Sequence, residues 1–153
     1  MIPHDSELGI DTLRDRFLKY LEIHQLAIRD VDIPKANRNL LKVIRYGDAL
    51  ARTPMGKDVL EDLIGNPLPF VRLRAAQYVR KWTPERAIPV LGKLLIEEFP
   101  PDMSPDERVE LRISAKYALY GFFGVKSWDP NDLIEPLRSY GIELPYRDHS
   151  QWQ

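Results

Sequence analysis

Apolar residues recur three and four positions apart along almost the whole chain, and the strict alternation of a half-buried strand is nearly absent. The pattern predicts a first helix from about Asp11 to Ile28, with Leu13, Phe17, Tyr20, Leu21, His24 and Ile28 on one stripe. Asp32-Ile33-Pro34 reads as a cap and a helix start. The helix it opens turns Leu40, Leu41, Ile44 and Ala51 inward and Lys35, Arg38, Asn39, Lys42 and Arg45 outward. Thr53-Pro54 opens a short third helix carrying Val59, Leu60, Leu63 and Ile64, and Gly65-Asn66 closes it with a left-handed glycine. Asn66-Pro67 opens the fourth, striped by Leu68, Val71, Ala75, Tyr78, Val79 and Trp82. Thr83-Pro84 opens the fifth, with Ile88, Leu91, Leu95 and Phe99 in phase and a kink expected at Pro89. After a loop at Phe99–Met103, Ser104-Pro105-Asp106-Glu107 combines a capping box with proline at the first helical position. That sixth helix runs to about Phe122. Asp129-Pro130 opens a seventh, ending near Gly141, and the aperiodic stretch 142–153 is read as coil.

The fourth and sixth helices repeat one another. Val71-Arg72-Leu73-Arg74-Ala75 aligns with Leu111-Arg112-Ile113-Ser114-Ala115, an offset of 40 residues from Arg72 to Arg112. In the same register Val71, Ala75, Tyr78, Val79 and Trp82 fall on Leu111, Ala115, Ala118, Leu119 and Phe122. Helix pairs that cannot bury an apolar face alone bury it against the next pair. Ala75 and Ala115 are small enough to let such layers approach closely. The proline starts at Thr53, Thr83 and Asp129 are unevenly spaced, so the array is irregular.

These residues resemble a HEAT repeat. Asn66-Pro67 followed by Val71-Arg72-Leu73-Arg74-Ala75-Ala76 matches the turn and opening of that family's second helix, and Ser104-Pro105 stands where the second unit lacks the Asn-Pro turn. Val71 to Leu94, joined by Trp82-Thr83-Pro84-Glu85-Arg86-Ala87, is also similar to a bacterial HEAT-like family of unknown function. The resemblance covers about Thr53 to Leu137. It implies one all-α domain over 1–153, a short right-handed α-α superhelix of HEAT/armadillo-like solenoid type with about seven helices, its repeats spanning about 11–141. It brings no catalytic residues, and it implies that Arg72 and Arg112 tie neighbouring units together through acids or carbonyls.

Composition narrows the chemistry. The 153 residues are the usual size of one domain. The absence of cysteine excludes disulfides, thiolate metal sites and a cysteine nucleophile. A net charge of −1 argues against a dedicated nucleic-acid coat. No signal peptide and no membrane-length apolar run is evident, so a cytoplasmic location is expected. His4, His24 and His149 are far apart, with no His-Glu-x-x-His pair, phosphate loop or nucleophile elbow. No metal or cofactor is expected. His24 reads as a packed histidine, and Asp102, Asp106, Glu107 and Glu110 as acids favoured at a helix start.

Arg74, Gln77 and Lys81 share a face of the fourth helix, and Ser114 and Tyr117 take the matching places in the sixth. With Arg72 and Arg80 they form a mildly basic inner surface suited to an acidic protein partner. A solvated helix face accounts for the same residues. Three functions fit: a non-catalytic protein-binding module, in one version an immunity protein that neutralises a co-encoded bacterial toxin; a HEAT-like DNA-binding or alkylpurine DNA glycosylase-type enzyme using Trp82, Trp128 and Asp129; or a regulatory subunit of a larger complex.

Overall fold

The computed structural model describes residues 8–148, and every regular element among them is helical. The helices are α1 (Ile10–Arg29), α2 (Ile33–Ala51), α3 (Pro54–Leu63), α4 (Pro69–Val79), α5 (Pro84–Leu94) and α6 (Pro105–Phe123). A 3-10 turn at Pro130–Leu133 runs into the short α7 (Ile134–Arg138). His4 and His149 lie outside the described residues, as does the tail beyond Asp148.

Three helix starts use the side chains that the sequence marks. Asp32 accepts the Lys35 N–H at 3.2 Å, Thr53 the Gly56 N–H at 3.0 Å and Ser104 the Glu107 N–H at 3.2 Å. Glu107 returns the favour by accepting the Ser104 N–H at 3.1 Å, which completes the capping box. Thr83 behaves differently. Its hydroxyl donates to Glu61 at 2.7 Å and leaves α5 without a side-chain cap. α4 begins at Pro69 rather than Pro67, because Asn66 accepts the Leu68 N–H at 2.9 Å and spends those residues in a turn.

α1 and α2 form an antiparallel pair. Arg16 donates to the Tyr46 hydroxyl at 3.1 Å, Tyr20 stacks on Tyr46 at 5.7 Å between centroids, and His24 reaches the Ala36 carbonyl at 2.8 Å. Partners therefore descend α2 as they climb α1. The turn between them closes with Asp32 N–H on Ala27 O and Val31 N–H on Ile28 O. This closure forces Val31 to φ 56°, a left-handed position normally held by glycine or asparagine. The next corner is tighter still: a Cβ on Gly56 would lie 1.9 Å from the Leu50 carbonyl oxygen.

α4 is the centre of the molecule and touches α1, α2, α3, α5 and α6. Val71, Leu73, Ala75, Ala76 and Val79 are all buried, so burial goes most of the way round the helix instead of following one stripe. Ala75 and its counterpart Ala115 have no exposure at all. Gly47 on α2 leaves a notch for Tyr78 of α4; a Cβ there would sit 2.5 Å from the phenol oxygen. α1 also reaches α6, so the first helix closes over helices far from it in sequence.

Several sequence expectations are corrected. On α2, Leu41 (69% exposed) and Ile44 face solvent, while Asn39 is buried and donates to Lys35 O at 2.9 Å. The inward stripe is Val43, Tyr46, Ala49 and Leu50, because the helix is rotated to seat Tyr46 on α1 and Gly47 on α4. Gly65 is not a left-handed cap; among the described glycines Gly124 (φ 68°) and Gly141 (φ 80°) are. α5 holds Pro89 inside it and stops at Leu94, before Phe99. Residues 142–148 are irregular yet anchored. Ile142 is buried and would meet a Cβ on Gly92 at 3.0 Å, so α5 needs glycine where the chain returns.

Two backbone constraints yield opposite outcomes in urea unfolding monitored by circular dichroism. Gly56→Ala is expected to lose about 2 kcal/mol or more, because the contact is with main chain and cannot be relieved by a rotamer change. Val31→Asn is expected to gain about 1 kcal/mol, because asparagine tolerates the left-handed turn that a β-branched residue resists.

Candidate functional site

The face of α4 that is left uncovered carries Phe70, Arg74, Gln77 and Lys81, spaced by four, three and four residues. Arg74, Gln77 and Lys81 are the positions singled out by the sequence, but they do not share one environment. Arg74 is only 11% exposed at its side chain and forms an ion pair with Glu110 of α6. Its other contacts are Gln77 Oε1 at 3.4 Å and the Nε2 of His24 at 3.4 Å. Ser114 donates to the same Glu110 oxygen at 3.3 Å. Arg74 and Ser114 thus meet at one carboxylate, with Gln77 on the far side of the Arg74 guanidinium, and Arg74's charge is spent inside the fold.

His24 completes that junction from α1. A carbonyl can only accept, so Nδ1 carries a proton and donates to Ala36 O, while Nε2 faces Arg74 and lies 3.8 Å from Glu110. A second carboxylate sits one turn away. Glu107 is buried and accepts from Gln25 at 2.9 Å and from Arg29 at 3.0 Å, both on α1. Burial alone would push both carboxyls up. At Glu107 the donors Gln25, Ser104 and Arg29 outweigh it; at Glu110 His24, Arg74 and Ser114 do so. Both groups therefore titrate below the usual glutamate range. The acidic cluster read as helix-start electrostatics is, at these two positions, the polar fastening of α6 to α1 and α4.

Arg72 and Arg112, equivalent in the repeat, converge on the end of α5. Arg72 holds Glu97 through two bonds, at 2.9 and 3.2 Å. Arg112 donates to the carbonyls of Leu94 and Glu97, each at 3.0 Å, and lies over the Phe99 ring. Both satisfy carbonyl or carboxylate groups left where α5 stops, a use of cations favoured at helix C-termini.

Lys81 lies on the other side of the strip, exposed, with Nζ 5.7 Å from the Tyr78 ring centroid. It opens onto a groove of about 300 Å³ between α2 and α4, whose walls include Leu40, Ile44, Asp48, Gln77 and Arg80. Tyr78 floors it, donating to Asp48 at 2.9 Å and to Ile44 O at 3.2 Å. Burial pushes the Tyr78 phenol up, and Asp48 adds to the shift, so the group stays protonated and donating. Arg80, which sequence reasoning grouped with the others only by charge, has a buried Nη1 without a hydrogen-bond partner. Tyr117 is separate from this groove. It is 61% exposed, packs edge-on to Tyr120 and lies under Lys116.

Trp82 packs against the core with Lys57 over its ring, and Asp129 accepts the Asn131 N–H at 3.0 Å as the cap of the 3-10 turn. Trp128 lines a surface groove with Tyr117, Tyr120 and Lys126. Among the described residues no group of His, Asp or Glu is placed to hold a metal ion, and no helix is long and apolar enough to cross a membrane. Comparison with family models, curated proteins and solved structures finds no match.

The depressed carboxyl values carry a sign. A glutamate that titrates lower in the folded chain contributes stability in full above its unfolded value of about 4.3, and loses it as pH falls through the folded value. Glu110→Gln is expected to cost about 3 kcal/mol near neutral pH, since it strands Arg74. Its deficit against wild type should shrink in acid, below about pH 4, where wild type loses the same charge. Urea midpoints at the two pH values check both statements.

Proposed function

We propose that this chain is a non-catalytic protein-interaction module, a short HEAT-like array whose binding surface is the groove between α2 and α4. The repeat supports the architecture: Ala75 and Ala115 are both fully buried, and Arg72 and Arg112 both fasten the end of α5. The reading rests on one observation above all. The exposed edge of the central helix presents Gln77 and Lys81 beside an open groove with aliphatic walls, including exposed Ile44. Solvated cations beside apolar area make a surface for an acidic protein.

The wider charge distribution points the same way. Residues 8–96 hold 16 Lys and Arg against 10 Asp and Glu, whereas residues 97–148 hold 6 against 11. The groove lies in the basic part. An immunity protein that occludes a co-encoded toxin is one concrete form of this role, and a subunit that docks an acidic partner in a larger complex is another. In either form Arg74, held by Glu110, lines the groove beside Gln77 and Lys81.

The test is affinity capture from the source cell, with mass spectrometry of what is retained. A double variant, Gln77→Glu with Lys81→Glu, is expected to keep the wild-type unfolding midpoint and lose the partner. A partner held equally by the variant would move the surface elsewhere on the molecule. Recovery of nucleic acid, released by salt, in place of a protein would overturn the reading.

A further inference from the structure

Arg80 stands at the C-terminal cap of α4 and forms one wall of the α2–α4 groove. Its Nη1 is buried without a hydrogen-bond partner, and no carboxylate among the described residues is paired with it. This differs from the treatment of the neighbouring arginines: Arg72 is clamped on Glu97 and Arg74 on Glu110. Asp48, the carboxylate in the same groove, already accepts the Tyr78 hydroxyl. Desolvation, with no opposing carboxylate, lowers the Arg80 ionisation from its ordinary value. A half-buried guanidinium with one nitrogen unpaired and no counter-charge gains from an anion brought to its open side. Lys81, next in the chain and exposed, adds a second cation at the same end, while Leu40 and Ile44 supply an aliphatic wall opposite.

We propose that this groove is a carboxylate-recognition site: Arg80 receives a Glu or Asp side chain of a protein partner, Lys81 reinforces it, and an adjoining aliphatic residue of that partner packs on Leu40 and Ile44. The proposal rests on the protein-binding reading and names its ligand chemistry. The occupant is a segment in which acids alternate with leucine-like residues. A volume of about 300 Å³ admits one or two side chains, not a folded domain. Arg80 then serves as the anchor, and Gln77 and Lys81 as the rim.

The experiment titrates the isotope-labelled chain with an end-blocked peptide of alternating Glu and Leu, and with its Gln-for-Glu counterpart. The Glu peptide is expected to shift the Arg80 side-chain Nε–H resonance and the Ile44 methyls, more weakly at high salt. The Gln peptide is expected to bind at least tenfold more weakly. Arg80→Leu should lose at least tenfold in affinity for the Glu peptide while keeping or raising the unfolding midpoint, because it removes a half-buried cation that has no carboxylate partner. A structural arginine would instead lower that midpoint. Equal binding of the two peptides, or undiminished binding to Arg80→Leu, overturns the carboxylate site. If a cellular partner is still lost on Gln77→Glu with Lys81→Glu but kept on Arg80→Leu, the protein-binding reading stands and this one falls.

Discussion

A helix with neighbours on five sides has almost nowhere to put a polar group, and α4 is such a helix. Its eleven residues include two arginines, a glutamine and a tyrosine, each of which must reach a partner or the one uncovered strip. Arg72 reaches the end of α5, Arg74 reaches α6 and Tyr78 reaches α2. Each reach adds a directional contact to packing that is otherwise non-directional. The same crowding makes Ala75, Ala76 and Gly47 necessary, since larger side chains would push the surrounding helices away.

The strip that remains is the product of this arrangement. α1 folds across α4 and α6 and is fastened there by Gln25 and Arg29 on Glu107 and by His24 beside Glu110. That closure covers part of the face which an open array of helix pairs would leave free. The α2 side stays open, where Gly47 admits Tyr78 and thereby sets the depth of the groove. Packing and groove thus share a residue, since Tyr78 both fills the notch and floors the groove.

Most of the helical content was legible because it rests on local rules. Capping residues at Asp32, Thr53 and Ser104 and prolines in the first turn act within four residues, so they can be read without knowing the fold. The phase of α2 was not legible. Leu40, Leu41, Val43 and Ile44 lie so close together that two rotations bury similar apolar area, and the choice is made by Tyr46 on α1 and Gly47 under Tyr78. The left-handed Val31 was hidden for a related reason: nothing in Arg29-Asp30-Val31-Asp32 advertises a glycine position, and the closing bonds to Ala27 and Ile28 impose it.

For the candidate site, spacing put Arg74, Gln77 and Lys81 in one line, but spacing does not report who stands opposite. Glu110 lies 36 residues from Arg74 and neutralises it; Arg80 has the same formal charge and has no such partner. The physical distinction between a structural and a receptive arginine is therefore its counter-charge, not its position in a stripe. An arginine with an internal carboxylate has already recovered its desolvation, and an incoming anion would have to compete with that carboxylate. One without has not, so an anion reaching it would meet no internal competitor. Among the arginines of α4 and its cap that criterion separates Arg80 from Arg72 and Arg74, a distinction no periodicity in the chain could have marked.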